Sequence, residues 1–313
     1  MISSRRSSLL LAALLLGGCA GGTLTLPPTP APAELTEVPF FPQTEYQCGP
    51  AALATVLAYA GTSVTPPDLV NQVYVAGLRG SLQAELLAAT RRHGLIPYVI
   101  ARDPGALLAE VASGRPVLVL QNLGLPRVPV WHYAVVVGAD AGHVILRSGT
   151  QRRRTESAHR FLKSWQRAQE WAFVAVEPGL LPATATAGAY VRALAGAEPL
   201  LPAAAVASSY AAAFARWPDD ELVLFAMAGY RLANRDFAGA TTLYRRLLAT
   251  NPAHAAARNN LANALAARGC TDEALREARA ALATVEPGNE LYAAIEDTVA
   301  ELEHAAPGSG CPP

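Results

Sequence analysis

The sequence lacks several features that would by themselves assign a function class. It has no excess of positive charge, because 25 Lys and Arg residues balance 25 Asp and Glu residues, so nucleic acid is not an expected partner. The apolar run near its N-terminus has about ten residues, about half the length that a membrane-spanning helix needs. Most of the histidines show no metal-like spacing to Cys or acidic residues: His93, His143, His159, His254 and His304. No cofactor is expected.

Cysteine is also scarce, and the surroundings of one of the four cysteines are the most informative feature of the chain. Cys48 lies in the segment VPFFPQTEYQCGPAALATVLAYAG, where the apolar run after Pro50 predicts a helix that ends near Gly61. Proline is tolerated at the first position of a helix, because its missing N–H would have no partner there. Cys48 is therefore expected at the positive end of a helix dipole, which lowers the pKa of a thiol and favours the reactive thiolate.

Two polar residues complete a set of groups for thiol chemistry. Gln43 precedes Cys48 by five residues, and His132 begins a predicted strand in the segment VWHYAVVVG. An imidazole that faces the sulfur can take the thiol proton and later protonate the leaving amine. The side-chain amide of Gln43 and the backbone N–H of Cys48 can stabilise the oxyanion of the tetrahedral intermediate. The pattern predicts nucleophilic catalysis by Cys48, with His132 as the base.

The segments PQTEYQCGPAAL and WHYAVVVG resemble the bacteriocin-processing peptidases that cleave after double-glycine leaders, a group of papain-like cysteine peptidases. The resemblance extends over 37–177 and implies that Gln43, Cys48 and His132 are the catalytic elements. The order of the predicted elements, helices first and then four β-rich segments, indicates an α+β domain with a largely antiparallel sheet. The papain-like cysteine peptidase domain is therefore predicted at residues 37–180.

One position departs from the pattern of that group. Its members usually carry an aspartate on the next strand, in an Asp-Pro pair, and this aspartate orients the histidine. The corresponding strand here reads HVILRSGT, which puts Ser148 in that place. Asp140 in the preceding turn is the second candidate for the third member, although a turn aspartate more often serves the turn itself. A dyad of Cys48 and His132 with another orienting group is one alternative, and loss of activity is the other.

The N-terminus has the pattern of a secretory signal, with two arginines, a short apolar run and then small residues in MISSRRSSLLLAALLLGGCAGG. Its LGGC ending resembles a bacterial lipobox, which implies a signal peptide at 1–18 and a diacylglycerol on Cys19. Ala20 after the cysteine implies, by analogy with Gram-negative lipoproteins, an outer-membrane protein that faces the periplasm. Residues 19–36 are rich in proline and are expected to form an extended tether between the bilayer and the folded part.

The second half of the chain is rich in alanine and leucine, and 181–304 shows a period of 34 residues. The recurring small residues, such as Ala228 and Ala262, and the proline at the end of each unit resemble tetratricopeptide repeats, which implies an all-α helical repeat domain. Two units are recognisable between a weaker helical lead-in and a capping helix: Asp219–Pro252 and Ala253–Pro287. Such a domain usually presents a surface to a protein partner, and the alternative is a spacer or a lid on the peptidase domain. Residues 305–313 are expected to form a C-terminal tail.

The two other cysteines, Cys270 and Cys311, lie in the C-terminal part of a chain that is expected to be exported, where disulfides persist. A disulfide between them is therefore predicted.

The sequence as a whole predicts a lipid-anchored envelope cysteine peptidase. It would hydrolyse a peptide bond through a thioester at Cys48, and its repeats would recruit a peptide or protein substrate or another protein partner. A double-glycine leader is not an expected substrate, because the chain carries no transporter segments. Two alternatives stay open: a catalytically silent scaffold that binds protein, and an amidase or acyltransferase that acts on a cell-wall peptide.

Overall fold

The computed structural model of the chain describes residues 25–27, 34–43, 47–140, 142–305 and 311. The predicted signal peptide and the predicted lipidation of Cys19 lie outside these residues. Leu26, inside the predicted tether, is buried in the hydrophobic core with only 8% of its side chain exposed. Burial of a leucine stabilises a folded protein by about 1.5 to 3 kcal/mol. The expectation of a tether that is not packed against the folded part is therefore wrong at this position.

The first part of the chain combines helices with an antiparallel sheet. Its elements are α1 (Cys48–Tyr59), α2 (Pro66–Val73), β1 (Tyr74–Val75), β2 (Gly80–Ser81), α3 (Gln83–Arg92), β3 (Ile96–Val99), α4 (Pro104–Ala112), β4 (Val117–Asn122), β5 (Trp131–Ala139), β6 (His143–Ser148), β7 (Gln151–Ser157), α5 (Ala158–Gln166) and β8 (Ala172–Val176). Six strands form one sheet in the order β3-β8-β4-β5-β6-β7, and all of their pairings are antiparallel. The predicted combination of helices and a sheet is confirmed.

Helices cover both faces of this sheet. Side chains alternate between the faces along a strand, and the two faces of β5 accordingly belong to different buried clusters. Val135 packs in one cluster with Leu53 of α1. Val136 belongs to the other cluster, which includes Trp165 of α5. The helix that begins with Cys48 is thereby fixed against the strand that carries His132.

The basic run Arg152 to Arg154 lies in β7, the edge strand of the sheet. The helix α5, which follows β7 directly, is absent from the prediction. Its buried residues Phe161, Leu162 and Trp165 nevertheless follow the spacing of one helical face.

The second part of the chain is a helical region. Its helices are α6 (Ala187–Ala197), α7 (Ala203–Arg216), α8 (Glu221–Ala233), α9 (Phe237–Thr250), α10 (Ala255–Ala267), α11 (Thr271–Leu282) and α12 (Tyr292–His304). Each of the two predicted repeat units therefore contains one pair of helices, and membership of the tetratricopeptide class stays a prediction. Across the described residues, no helix has both the length and the hydropathy that a membrane span requires.

Small residues are buried where the helices of this region meet. The four alanines that define the predicted period are all fully buried: Ala228, Ala240, Ala262 and Ala274. A methyl side chain lets two helix backbones approach closely, which explains why alanine recurs at these positions. Cys270, at the N-terminal end of α11, is joined to Cys311 in a disulfide, with their Cα atoms 4.5 Å apart.

The sheet and the helical region share a hydrophobic core. Tyr98 of β3 and Tyr190 of α6 belong to one buried cluster. The Tyr98 hydroxyl donates to the carbonyl of Thr184 at 3.1 Å and accepts from the N–H of Thr186 at 3.2 Å. The buried carboxylate of Glu110 in α4 accepts from the Thr184 N–H and hydroxyl, each at 2.7 Å. The side chains of Tyr98 and Glu110 thus hold in place the segment that connects β8 to α6.

Candidate active site

Cys48 is the first residue of α1, and its thiol is half-buried. The backbone N–H groups of Tyr133, Gly49 and Cys48 itself lie near the sulfur, and each of them lowers the thiol pKa. Burial is the larger effect, and it raises the pKa of the Cys48 thiol above its ordinary value. The lowered pKa expected from the helix dipole is therefore outweighed, and the structure favours the neutral thiol.

His132 is the second residue of β5, and its ring contacts β6. Its Nε2 lies 2.8 Å from Ser148 Oγ. Burial, followed by the positive charge of Arg154, lowers the pKa of His132 to about 4. The imidazole is therefore neutral at neutral pH. In the tautomer whose Nε2–H donates to Ser148, Nδ1 is free to accept a proton.

Gln43 is held beside these two strands by its backbone and its side chain. Its backbone N–H donates to the carbonyl of Gly149 at 3.0 Å, in the turn between β6 and β7. Its side-chain Nε2 donates to the carbonyl of Tyr133 at 3.4 Å. The structure thus brings Gln43, Cys48 and His132 around one short stretch of β5.

The two candidates for the third member occupy different places. Ser148 contacts the His132 ring, whereas Asp140 lies beyond the other end of β5. Asp140 Oδ1 accepts from the N–H groups of Gly142 at 2.9 Å and His143 at 2.7 Å, so this carboxylate serves the turn. Ser148 is the residue placed to orient His132.

No hydrogen bond joins the Cys48 thiol to the His132 imidazole among the residues that the structure describes. Catalytic hydrogen bonds are often long or poorly aligned in a free enzyme and shorten when substrate binds. With a raised thiol pKa and a lowered imidazole pKa, the resting site holds a neutral thiol and a neutral imidazole. Proton transfer is then expected during the attack on substrate rather than before it.

Tyr133 and Ser81 are site residues that sequence reasoning missed. The Tyr133 hydroxyl donates to the carbonyl of Ser81 at 3.1 Å, which ties β2 to the strand beneath Cys48. A Cβ at Gly49 would lie 2.2 Å from Ser81 Oγ and 2.5 Å from Ser81 Cβ. The glycine after the cysteine is therefore required by the close approach of β2. Nothing in the local sequence around Ser81 signals this contact.

We expect Gly49→Ala to destabilise the protein by about 1 to 3 kcal/mol, because an overpacked site must shift its neighbours. Equilibrium unfolding in urea measures this change. The double variant Gly49→Ala with Ser81→Gly should recover most of the loss, since both atoms that the new methyl group meets are then gone. Ser81 Oγ is buried without a hydrogen-bond partner among the described residues, so Ser81→Gly loses no side-chain hydrogen bond. A double variant as unstable as the single variant would contradict this explanation.

Apolar side chains are exposed on two sides of the site. They belong to the segment around β2 and to the β4–β5 hairpin: Leu78, Leu82, Leu123, Leu125, Val128, Val130 and Trp131. A pocket of 260 Å³ lies at the N-terminal end of α1, and its walls are Phe41, Pro42, Gln47, Ala51, Pro66 and Pro67. Apolar groups of a ligand can therefore pack near the start of α1. No cluster of three or more His, Cys, Asp and Glu residues suited to a metal ion occurs in the described part of the chain.

Comparison with known proteins identifies the first part of the chain. Residues 35–173 match the model of the Peptidase_C39 like family. This part of the chain is therefore a C39-like peptidase domain. No curated protein shows a significant match to the chain.

Several solved structures are similar to this domain. A structure from Bacillus anthracis, described as that of a C39-like peptidase, has 19% sequence identity and a TM-score of 0.41, and the match covers 47% of this chain and 98% of that one. A double glycine motif protease from an AMS/PCAT transporter, solved in complex with the leader peptide, has 20% identity and a TM-score of 0.35, with 45% and 91% covered. The peptidase domain of Streptococcus ComA, a bi-functional ABC transporter of a quorum sensing pathway, has 20% identity and a TM-score of 0.38, with 45% and 98% covered.

Proposed function

We propose that the C39-like peptidase domain is a cysteine peptidase in which Cys48 is the nucleophile and His132 is the general base. The observation that carries the proposal is the placement of Cys48 against the backbone of Tyr133, the residue that follows His132, while His132 is oriented by Ser148. This arrangement supplies the three groups that thiol catalysis uses: a nucleophile, a base and a group that orients the base.

The proposed reaction begins with both groups neutral. As the sulfur attacks the carbonyl carbon of the scissile bond, His132 takes the thiol proton, and the oxyanion is stabilised by the Cys48 N–H and the Gln43 side-chain amide. The intermediate collapses to a thioester while the imidazolium gives its proton to the leaving amine. Water, deprotonated by His132, then hydrolyses the thioester and restores the thiol.

The surroundings of the site favour a peptide with apolar residues near the scissile bond. The pocket beside Gln47 can hold one apolar side chain, and the exposed β4–β5 hairpin offers further apolar contacts next to His132. We also propose that the chain is anchored in the outer membrane through acyl chains on Cys19 and faces the periplasm. In this proposal the helical region recruits the substrate or another protein partner.

The second candidate function is a catalytically silent scaffold that binds a peptide in the same cleft. The raised pKa of Cys48, the lowered pKa of His132 and the hydroxyl of Ser148 in place of a carboxylate favour it. All three reduce the population of the thiolate that performs the chemistry.

A peptide-like electrophilic probe distinguishes the two functions. We expect mass spectrometry of the full chain carrying Cys19→Ser to find the probe on Cys48, the one free cysteine among the described residues. Loss of the base in His132→Ala should slow labelling by about 100-fold or more, and Cys48→Ala should abolish it. A folded protein that stays unlabelled, or that labels equally fast without His132, would support the scaffold.

A further inference from the structure

We propose that the β4–β5 hairpin binds the leaving part of the substrate, the peptide that follows the scissile bond, through the apolar side chains of Leu123, Leu125, Val128 and Val130. These four side chains are called the hairpin surface below. The inference rests on the proposed peptidase function and deepens it, because it names a substrate class: peptides with apolar residues directly after the scissile bond.

The pairing of β4 with β5 continues into the hairpin without a change of register. Gln121 of β4 lies opposite His132 of β5. The N–H of Leu123 donates to the carbonyl of Val130 at 2.8 Å, and the two outer residues of the hairpin surface exchange two hydrogen bonds of 3.1 Å. Directly opposite residues share a face of a sheet, and so do alternate residues of one strand. The hairpin surface therefore lies on the face that carries the His132 side chain and begins two residues from it.

The hairpin surface is exposed although all of its side chains are apolar. The exposed fraction is lowest for Leu123, at 41%, and highest for Leu125, at 69%. Neighbouring apolar side chains in water commonly mark a binding site. The only charged residue among 123–130 is Arg127, so the segment offers no carboxylate to a cationic ligand. Its composition fits an apolar ligand.

The hairpin holds these side chains in one arrangement. The buried side-chain oxygen of Asn122 accepts from the N–H groups of Gly124 and Val130, each at 3.0 Å. The Asn122 carbonyl accepts from two nitrogens of the Arg167 guanidinium, at 2.8 and 3.1 Å. Two prolines of the loop further restrict its backbone. A surface that is fixed before binding loses less conformational entropy when a ligand binds.

The position of His132 decides which part of the substrate meets the hairpin surface. In the proposed reaction the imidazolium gives its proton to the leaving nitrogen, so this nitrogen lies within hydrogen-bond reach of the ring. Gln43, the proposed oxyanion donor, contacts Tyr133, which lies on the other side of His132 along β5. The carbonyl of the scissile bond is thus held on one side of the imidazole, and the hairpin extends from the other side. Alternate residues of a strand are about 6 to 7 Å apart, so the first residues of the leaving peptide reach Val130.

Acyl transfer to added amines tests the hairpin surface without knowledge of the natural substrate. In the full chain carrying Cys19→Ser, the Cys48 sulfur takes the acetyl group of p-nitrophenyl acetate, and p-nitrophenolate leaves. Water converts the thioester to acetate. An amine instead attacks the thioester carbon and forms an acetamide, while His132 takes a proton from the amine and returns it to the sulfur. Because this transfer is the reverse of acylation by a peptide, the attacking amine occupies the place of the leaving amine.

We expect Leu-Leu amide to capture the acetyl group at least about tenfold more efficiently than Gly-Gly amide, because its side chains are buried against the hairpin surface. The ratio of acetamide to acetate at equal amine concentrations measures this preference. The double variant Leu125→Ser with Val128→Ser should remove it. The control Leu180→Ser with Leu200→Ser, which makes two exposed leucines outside the hairpin polar, should keep it.

The outcomes separate this inference from the proposed function. If Cys48 is not acetylated, or is acetylated equally fast in His132→Ala, the proposed function fails and the inference fails with it. If acetylation depends on His132 but the two amines capture the acetyl group equally well, only the inference is overturned. A preference that survives in the hairpin double variant has the same meaning.

Two further measurements test other occupants of the hairpin surface. A preference for p-nitrophenyl hexanoate over the acetate that only the hairpin double variant loses, while its amine preference stays, would assign the surface to the acyl part of the substrate. Binding to phospholipid vesicles that this variant loses, without any change in amine capture, would identify a membrane as the occupant. Either result would overturn the proposal.

Discussion

Ser148→Asp is expected to raise the pKa of His132 from about 4 by about one to three units, because an opposite charge within 4 to 6 Å favours the imidazolium by that amount. The introduced carboxylate would lie where the Ser148 hydroxyl now contacts Nε2. A more stable imidazolium favours transfer of the thiol proton from Cys48, and the equilibrium constant of this transfer rises by the factor that corresponds to the rise in the His132 pKa. Alkylation by iodoacetamide at neutral pH should therefore become about 10- to 1000-fold faster. The rate as a function of pH measures both changes.

The matched control is Ser148→Asn, which has nearly the same shape as the aspartate variant and no charge. It should leave the pKa of His132 low and the alkylation rate close to that of the parent chain. Arg154 lies near His132, so it offers the introduced carboxylate a counter-charge in this buried place. If the two variants react equally fast while both are folded, the lack of negative charge is not what limits the site.

The parts of the site whose structure depends on short stretches of sequence could be predicted. Cys48 at the start of a helix and His132 at the start of a strand follow from short segments with helix or strand periodicity. The position of Ser148 as an orienting group follows from the resemblance to the bacteriocin-processing peptidases, whose aspartate it replaces. The contact between His132 and Ser148 joins two neighbouring strands through one turn, so their order in the sequence already places them side by side.

The charge state of the site could not be predicted in the same way. Burial of Cys48 under neighbouring elements raises its pKa more than the helix start lowers it, and burial depends on the whole fold. Arg154 belongs to a run of three arginines, and the other two are exposed to solvent. The register of β7 selects Arg154 for the inner face, and the irregular pairing between Leu146 and Ser148 hides that register from a simple alternation.

The second large effect is a loss of stability, and it is expected at the junction between the C39-like peptidase domain and the helical region. Glu110 is completely buried, and its carboxylate accepts from the Ala183 N–H at 3.2 Å and from the N–H and hydroxyl of Thr184 at 2.7 Å. Arg115 lies 3.8 Å away as a counter-charge. Glu110→Gln would turn amide hydrogens toward these donors and remove the ion-pair partner of Arg115. We expect a loss of about 3 to 5 kcal/mol in the free energy of unfolding, measured in urea.

The loss of stability in Glu110→Gln should first appear in the segment that the Glu110 carboxylate holds. The segment that it holds connects β8 to α6, so the variant should be cut by a protease between 177 and 186 at concentrations that leave the parent chain intact. Glu177→Gln is the matched control, because it removes the same charge at the same junction from a side chain without a hydrogen bond to any described residue. Equal destabilisation in the two variants would mean that net charge at the junction matters, rather than the three hydrogen bonds of the Glu110 carboxylate. A loss specific to Glu110 would show that one buried carboxylate on α4 fixes the helical region against the peptidase domain.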